Sequence, residues 1–315
     1  MTGTLDIRAI FRRFGLLVAI LLLAALLASI SEQFLTVGNI LNLLLQATVN
    51  ATIAAGMTLV ILTAGIDLSV GSVLALTAVV TADVLQMGVP VPLAMLTGFG
   101  LGAFVGLVNG LLVTEGKIPP FITTLGMMTL ARGLALSYTG GRPVTGLPQP
   151  FLNIGTTAIL KIPTPVWIAA GIYAVGILIL SRTTLGRYIY AIGNNPVAAR
   201  VAGLPVKVTT VSVYVMSGVL ASLAGMILVA RLDSAQPVMG IRYELDAIAA
   251  VVVGGAALTG GEGTLSGTVL GALIMAMIAN AINILNISPF YAQVLQGAVI
   301  ISALLIHSLA RQKTR

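Results

Sequence analysis

Nine carboxylates serve 315 residues, and Asp67 has the most telling setting, in Gly65-Ile-Asp-Leu-Ser-Val-Gly71 between two apolar runs. A bare carboxylate is expensive in hydrocarbon unless amide or hydroxyl donors satisfy it. Two readings stand: Asp67 caps the helix that follows, or Asp67 and Ser69 form a gate or a contact with a soluble partner. Glu244 and Asp246 open a later apolar run, where the positive end of a helix dipole favours them. Pairing with Arg242 or Arg231 to dock a partner is the alternative. Arg132 lies inside an apolar run, so snorkelling or an ion pair with Asp83 is the economical explanation. Amides complete the set: Gln46, Asn50, Asn109, Asn280, Asn283, Gln293 and Gln296. An amide facing lipid is unsatisfied, so each must bond another helix or line a water-filled path. Asn280 with Asn283, and Gln293 with Gln296, share helix faces at i, i+3, and with Gln46 and Asn50 they form the candidate path lining.

Other chemistries are poorly provided for. His307 is the single histidine and has no triad or metal partners of the required type nearby. Cysteine is absent, which removes disulfides and thiolate metal sites. Gly116-Lys117 lacks both the earlier glycine and the following hydroxyl of a phosphate-binding loop. The chain is therefore expected to be no enzyme, to hold no cofactor or metal, and not to hydrolyse ATP through such a loop. A net charge of +7 raises nucleic acid as a ligand, but the basic residues sit at the ends of apolar runs and form no patch with interleaved aromatics.

The elements that must position these side chains follow from composition. Hydrophobic residues make up 58% of the chain and charged residues 8%, against about 25% charged in soluble proteins, and the mean hydropathy is +1.08. Apolar runs recur along the whole length, which describes a single polytopic all-α membrane domain over 1–315 and not one anchor. About ten windows approach the roughly 20 residues needed to cross the hydrocarbon. They lie near 14–30, 40–64, 69–87, 91–114, 119–139, 164–180, 208–230, 244–258, 266–287 and 290–308. The eighth is short, precedes the glycine-rich Gly254–Gly263 stretch, and suits a broken or re-entrant helix. Placing both termini in the cytoplasm puts eleven of sixteen Lys and Arg residues inside and four outside, with Arg132 within a span.

Two connections are long. The outer one, about 140–163, is rich in Pro, Gly and Thr; the inner one, about 181–207, is basic. In the inner one, Asn195 can cap a helix with Pro196 at its first position, Ala198 to Ala202 continue it, and Gly203-Leu-Pro205 ends it. A short capped helix between two spans is costly to order unless something docks on it; a connector lying on the membrane surface is the alternative. Gly98, Gly102, Gly106 and Gly110 make a groove for internal packing or a subunit contact. A weak echo relates Thr63–Leu76 to Thr259–Leu273, each a Gly-rich turn opening into a helix, and points to an internal inverted repeat.

Three segments carry a family resemblance: Gly56-Met-Thr-Leu-Val-Ile-Leu-Thr-Ala-Gly-Ile-Asp-Leu-Ser-Val-Gly-Ser72, Arg187-Tyr-Ile-Tyr-Ala-Ile-Gly-Asn-Asn195 and Tyr243-Glu-Leu-Asp-Ala-Ile-Ala-Ala-Val-Val-Val-Gly-Gly255. From about Phe34 to Leu305 the chain resembles the permeases of ribose-type (ribose, xylose and galactose) ATP-binding-cassette importers. The resemblance implies a type II-like importer permease in the bacterial inner membrane, moving a monosaccharide. It also implies a pore of two identical or related permeases, a cytoplasmic ATPase that binds the ATP, and a periplasmic sugar-binding protein. The segment Tyr188–Gly203 would then be the coupling element, with Tyr188, Asn194, Asn195, Ala198, Ala199, Arg200 and Gly203 as its residues. On this basis Ala199→Arg is expected to abolish coupling without preventing insertion. An ion-coupled secondary transporter of a small polar solute is the alternative from another class.

Overall fold

A computed structural model describes residues 7–287 together with 291, 294, 297, 298 and 301, with side chains from Gly15 onward. Most of the expected span at 290–308, including Gln293, Gln296 and His307, lies outside the described residues.

Among the described residues the chain is built from twelve helices. The first six are α1 (Ile7–Ile30), α2 (Val37–Leu62), α3 (Val70–Gln86), α4 (Val91–Thr114), α5 (Pro120–Thr139) and α6 (Gln149–Thr156). They are followed by α7 (Thr164–Arg182), α8 (Thr184–Asn194), α9 (Pro196–Val201), α10 (Val206–Leu232), α11 (Tyr243–Val253) and α12 (Leu265–Ile284). Five of them, α2, α4, α7, α10 and α12, are long and apolar enough to cross a membrane, and Gly15–Ile30 and Val70–Gln86 are shorter apolar helices. Most starts are set by local chemistry. Thr36 caps α2 by accepting from Asn39 N–H, Thr264 caps α12 through Gly267 N–H, and Pro occupies the first turn of α4, α5 and α7.

The centre is α2 and α10, with α3, α11 and α12 packed around them. The second half of α2, from Ala47 to Leu62, is buried apart from Asn50. Its Met57, Val60 and Leu62 meet Leu74 of α3, Ile227 of α10 and Val251 of α11 in one apolar cluster. By contrast α4, α5 and α7 bury one face each and turn Leu96, Phe104, Ile122, Leu130 and Leu178 outward, as lipid-facing helices do. A buried hydrogen bond of 2.8 Å between the Thr58 and Thr268 hydroxyls joins α2 to α12.

The glycine groove packs inside the chain. A Cβ at Gly102 would strike Ser222 Oγ and the Gly218 carbonyl, one at Gly106 the Tyr214 carbonyl, and one at Gly110 the Val211 Cα at 2.7 Å. All four neighbours belong to α10, so α4 approaches its backbone more closely than any side chain allows.

The structure fills in two of these expectations and changes a third. The 140–163 connection contains α6 and the hairpin β2 (Ala158–Ile159) with β3 (Ile162–Pro163). Its β1 (Val144–Thr145) pairs antiparallel with β4 (Ser234–Ala235), which ties this connection to the segment leaving α10. The 244–258 window holds an 11-residue helix, about 16 Å long against some 30 Å of hydrocarbon. It is too short to span by itself, which fits the broken helix expected here; the non-helical 236–242 segment leads into it.

The echo does not carry an inverted repeat. Gly261 N–H donates to the Leu62 carbonyl at 3.0 Å, and Gly260 packs on Ala64, so the two turns sit at the same end of the bundle. Inversion in the membrane would send them to opposite ends. Their likeness has a local cause: both must be small to approach each other and α8.

Candidate functional site

The α2–α3 break forms a buried polar crosslink. Asp67 is 2% exposed. Its Oδ1 accepts from Ser69 N–H (3.0 Å) and from the Ser69 hydroxyl (2.6 Å), and its Oδ2 accepts from the Ser217 hydroxyl of α10 (2.9 Å). Asn109 Nδ2 of α4 donates in turn to Ser69 Oγ at 3.0 Å. The capping expectation is corrected here: Ser69 stands at the N-cap, and Asp67 takes an amide ahead of the helix proper. A contact between Asp67 and a soluble partner is likewise excluded by burial. A carboxylate with three donors belongs to the structure of the break, where non-helical backbone needs side-chain support.

Arg132 acts on the other break. Its Nη1 donates to the carbonyls of Pro237 (2.6 Å) and Met239 (2.8 Å), and its Nη2 to that of Gly71 (3.3 Å). The expected pair with Asp83 does not form; Asp83 accepts from the Tyr138 hydroxyl. The reason is geometric. The segment before α11 has no helical partners for its carbonyls, and the planar guanidinium fork reaches two of them and α3 together.

Between α2, α10, α11 and α12 lies a cavity of about 310 Å³, lined by Gln46, Asn50, Arg231, Tyr243, Asp246 and Met275 among others. Arg231 Nη1 spends one bond on the Leu45 carbonyl, at 3.2 Å. Asn50 Oδ1 is buried with no partner. Neither Glu244 nor Asp246 is ion-paired; the ion pair among the described residues is Lys207–Glu115. Cation, carboxylate, amides and phenol thus face one space with bonding capacity unspent. Donors and acceptors mixed at near-neutral charge suit an uncharged polyhydroxylated solute.

The expected lining is recovered only in part. Gln46 and Asn50 line the cavity. Asn280 does not: its amide and that of Asn39 bond reciprocally at 3.1 and 2.8 Å, joining α12 to α2. Asn283 is exposed. Arg231, Tyr243 and Asp246 were not expected in the lining. The available signal was the acidic first turn of a helix too short to span, since such a half-helix must end within the bundle.

At the far end of α2, the chain between α7 and α10 folds as α8 and α9. Asn195 Oδ1 accepts from Val197 N–H (3.0 Å) and Ala198 N–H (2.9 Å), Pro196 opens the helix, and Gly203 at φ +78° closes it. The expected capped helix is present. Val197 and Val201 are 71% and 85% exposed, and Ala198, Arg200 and Gly203 also face outward. Ala199 is 5% exposed and faces the body, so its expected place on the docking face is corrected: on a two-turn helix the outward face falls at 197, 198 and 201. Tyr188 is half-buried, and exposed Asn194 donates to the Tyr190 carbonyl at 3.0 Å. The Tyr190 hydroxyl, pushed up by burial and so held as a neutral donor, bonds the Gly263 carbonyl at 2.8 Å. Gly193 lies so close to the Leu62 carbonyl and Gly261 N–H that no Cβ fits. Thus α8 rests on the end of α2 and the loop before α12 at once.

A polytopic helical bundle with interrupted helices and a polar cavity at its centre is the architecture of a membrane permease. Residues 39–304 match the family model described as "Branched-chain amino acid transport system / permease component", and the chain belongs to this family. It is 47% identical over 292 residues to the ribose import permease protein RbsC of Haemophilus influenzae, covering 91% of this chain and 90% of that one. It is 44% identical to RbsC of Bacillus subtilis, over 94% and 93% of the two chains. Identity to the D-allose transport system permease protein AlsC of Escherichia coli is 37%, over 94% and 92%. No solved structure matches the chain.

Proposed function

We propose that this chain is the transmembrane subunit of an ATP-driven importer of a monosaccharide, ribose or a similar sugar, in a bacterial inner membrane. The cavity at Gln46, Asn50, Arg231, Tyr243 and Asp246 carries the reading, because its unspent bonding groups suit hydroxyls and its lack of strong net charge suits a neutral solute. The likeness to ribose and D-allose permeases supports the substrate class. The chain crosses the membrane about ten times with both termini in the cytoplasm, one of the crossings being made by the non-helical 236–242 segment and α11 together. It pairs with a second copy or a related permease and takes sugar from a periplasmic binding protein. A cytoplasmic ABC ATPase docks on α9 through Val197, Ala198 and Val201. ATP-driven movement of that partner presses α8 against the end of α2 and the loop before α12, and the cavity opens alternately to each side.

Reconstitution decides the matter. Liposomes holding this chain, its ATPase and its binding protein should accumulate labelled ribose only with ATP inside the nucleotide-facing compartment. Accumulation by the chain alone under an ion gradient would overturn the proposal in favour of a secondary transporter.

A further inference from the structure

A second cavity, of about 320 Å³, lies between α9 and the body. Its lining includes Lys117, Arg200, Lys207, Thr114, Thr210 and Tyr214. These come from the α4–α5 turn, from α9 and from α10. Lys207 is engaged with Glu115 at 2.9 Å, whereas Lys117 and Arg200 have no carboxylate partner among the described residues. Tyr214 is fully buried, yet its hydroxyl has no hydrogen-bond partner. The nearby Asp67 carboxylate bonds Ser69 and Ser217 instead. Gly65 leaves the space: a Cβ there would stand 2.6 Å from Tyr214 Oη.

We infer that this cavity binds a phosphate group. Three cations against one rim carboxylate leave an excess of positive charge. The unpartnered phenol and the Thr210 hydroxyl add donors for the several acceptor oxygens of a phosphate group; the Thr114 hydroxyl is spent on the Gly110 carbonyl. Two sources present this chemistry, an anionic phospholipid headgroup and a soluble phosphate ester. Arg200 belongs to α9 while Lys117 and Tyr214 belong to the body, so an occupant ties the exposed helix to the bundle. The inference is independent of the sugar reading, because the test needs neither sugar nor partner.

The full chain in phosphatidylcholine nanodiscs should bind labelled inorganic phosphate saturably and unfold at a higher temperature in its presence. Arg200→Gln and Lys117→Gln, both at exposed side chains, should each weaken binding roughly tenfold or more. Tyr214→Phe keeps the ring and should weaken it several-fold; Lys161→Gln, on the distant β2–β3 turn, should leave it unchanged. Preferential retention of phosphatidylglycerol in native mass spectra, displaced by phosphate, identifies a headgroup. Phosphate binding without such retention identifies a soluble ester. Absence of both, or equal binding by the Arg200 and Lys117 variants and the wild type, overturns the proposal. So does saturation only by acidic peptides.

Discussion

At Asn50 one buried carbonyl oxygen without a donor separates a structural role from a functional one. A buried unsatisfied polar atom costs about 1–3 kcal/mol, so Asn50→Leu should raise the unfolding midpoint while lowering ATP-driven sugar uptake about tenfold, the worth of one good hydrogen bond. Unchanged uptake in reconstituted vesicles would remove Asn50 from the path. Arg132 gives the opposite pattern. Arg132→Gln loses a fork on three carbonyls and should cost about 2–4 kcal/mol of stability. Arg132→Lys should recover little of it, since a point charge does not span the carbonyls; chemical denaturation reads both. The sequence identified Arg132 as anomalous but not its partners. Composition marks a charge in an apolar run, whereas the carbonyls it serves become available only once the chain before α11 fails to form helix.

Helices whose ends carry a chemical signal were legible. Thr36, Asn195 and the prolines of α4, α5 and α7 fix their starts within a few residues of expectation, and Asn195 even gave its bonding pattern. The break before α11 was legible only as a short window, because its depth depends on long-range contacts of Gly71 with Gly240 and of Arg132 with Pro237. The echo misled for a related reason: small residues were required by contact between two turns, not by descent from one unit. The glycine groove allows a controlled prediction. Gly106→Ala sets a methyl against the Tyr214 carbonyl, while Gly100→Ala on the same helix meets nothing within 4 Å. Gly106→Ala should cost about 1–3 kcal/mol by forcing α4 from α10. Gly100→Ala should be neutral or slightly stabilising, and thermal unfolding in detergent compares the two. Equal effects would mean that α4 and α10 are not in close register.

For the whole molecule, the question is what α9 offers a partner. Val201→Arg changes a side chain that is 85% exposed; it should leave the unfolding midpoint in place and abolish sugar-stimulated ATP turnover in the reconstituted complex. Ala199→Arg must instead force a long cation into a closed site and should lower the midpoint, at a cost of about 1–3 kcal/mol or more in stability. Normal turnover in the Val201 variant would move the docking surface elsewhere. What any such partner reaches is a single junction: Gly193 of α8 touches the end of α2 and the loop before α12 together, while Leu62 and Gly261 bond each other beneath it. A displacement arriving there reaches α2 and α12 together, the helices that bear Asn50 and Met275 in the lining of the cavity. On the proposed function, a stroke from the partner is thereby shared between two of the elements that enclose the sugar.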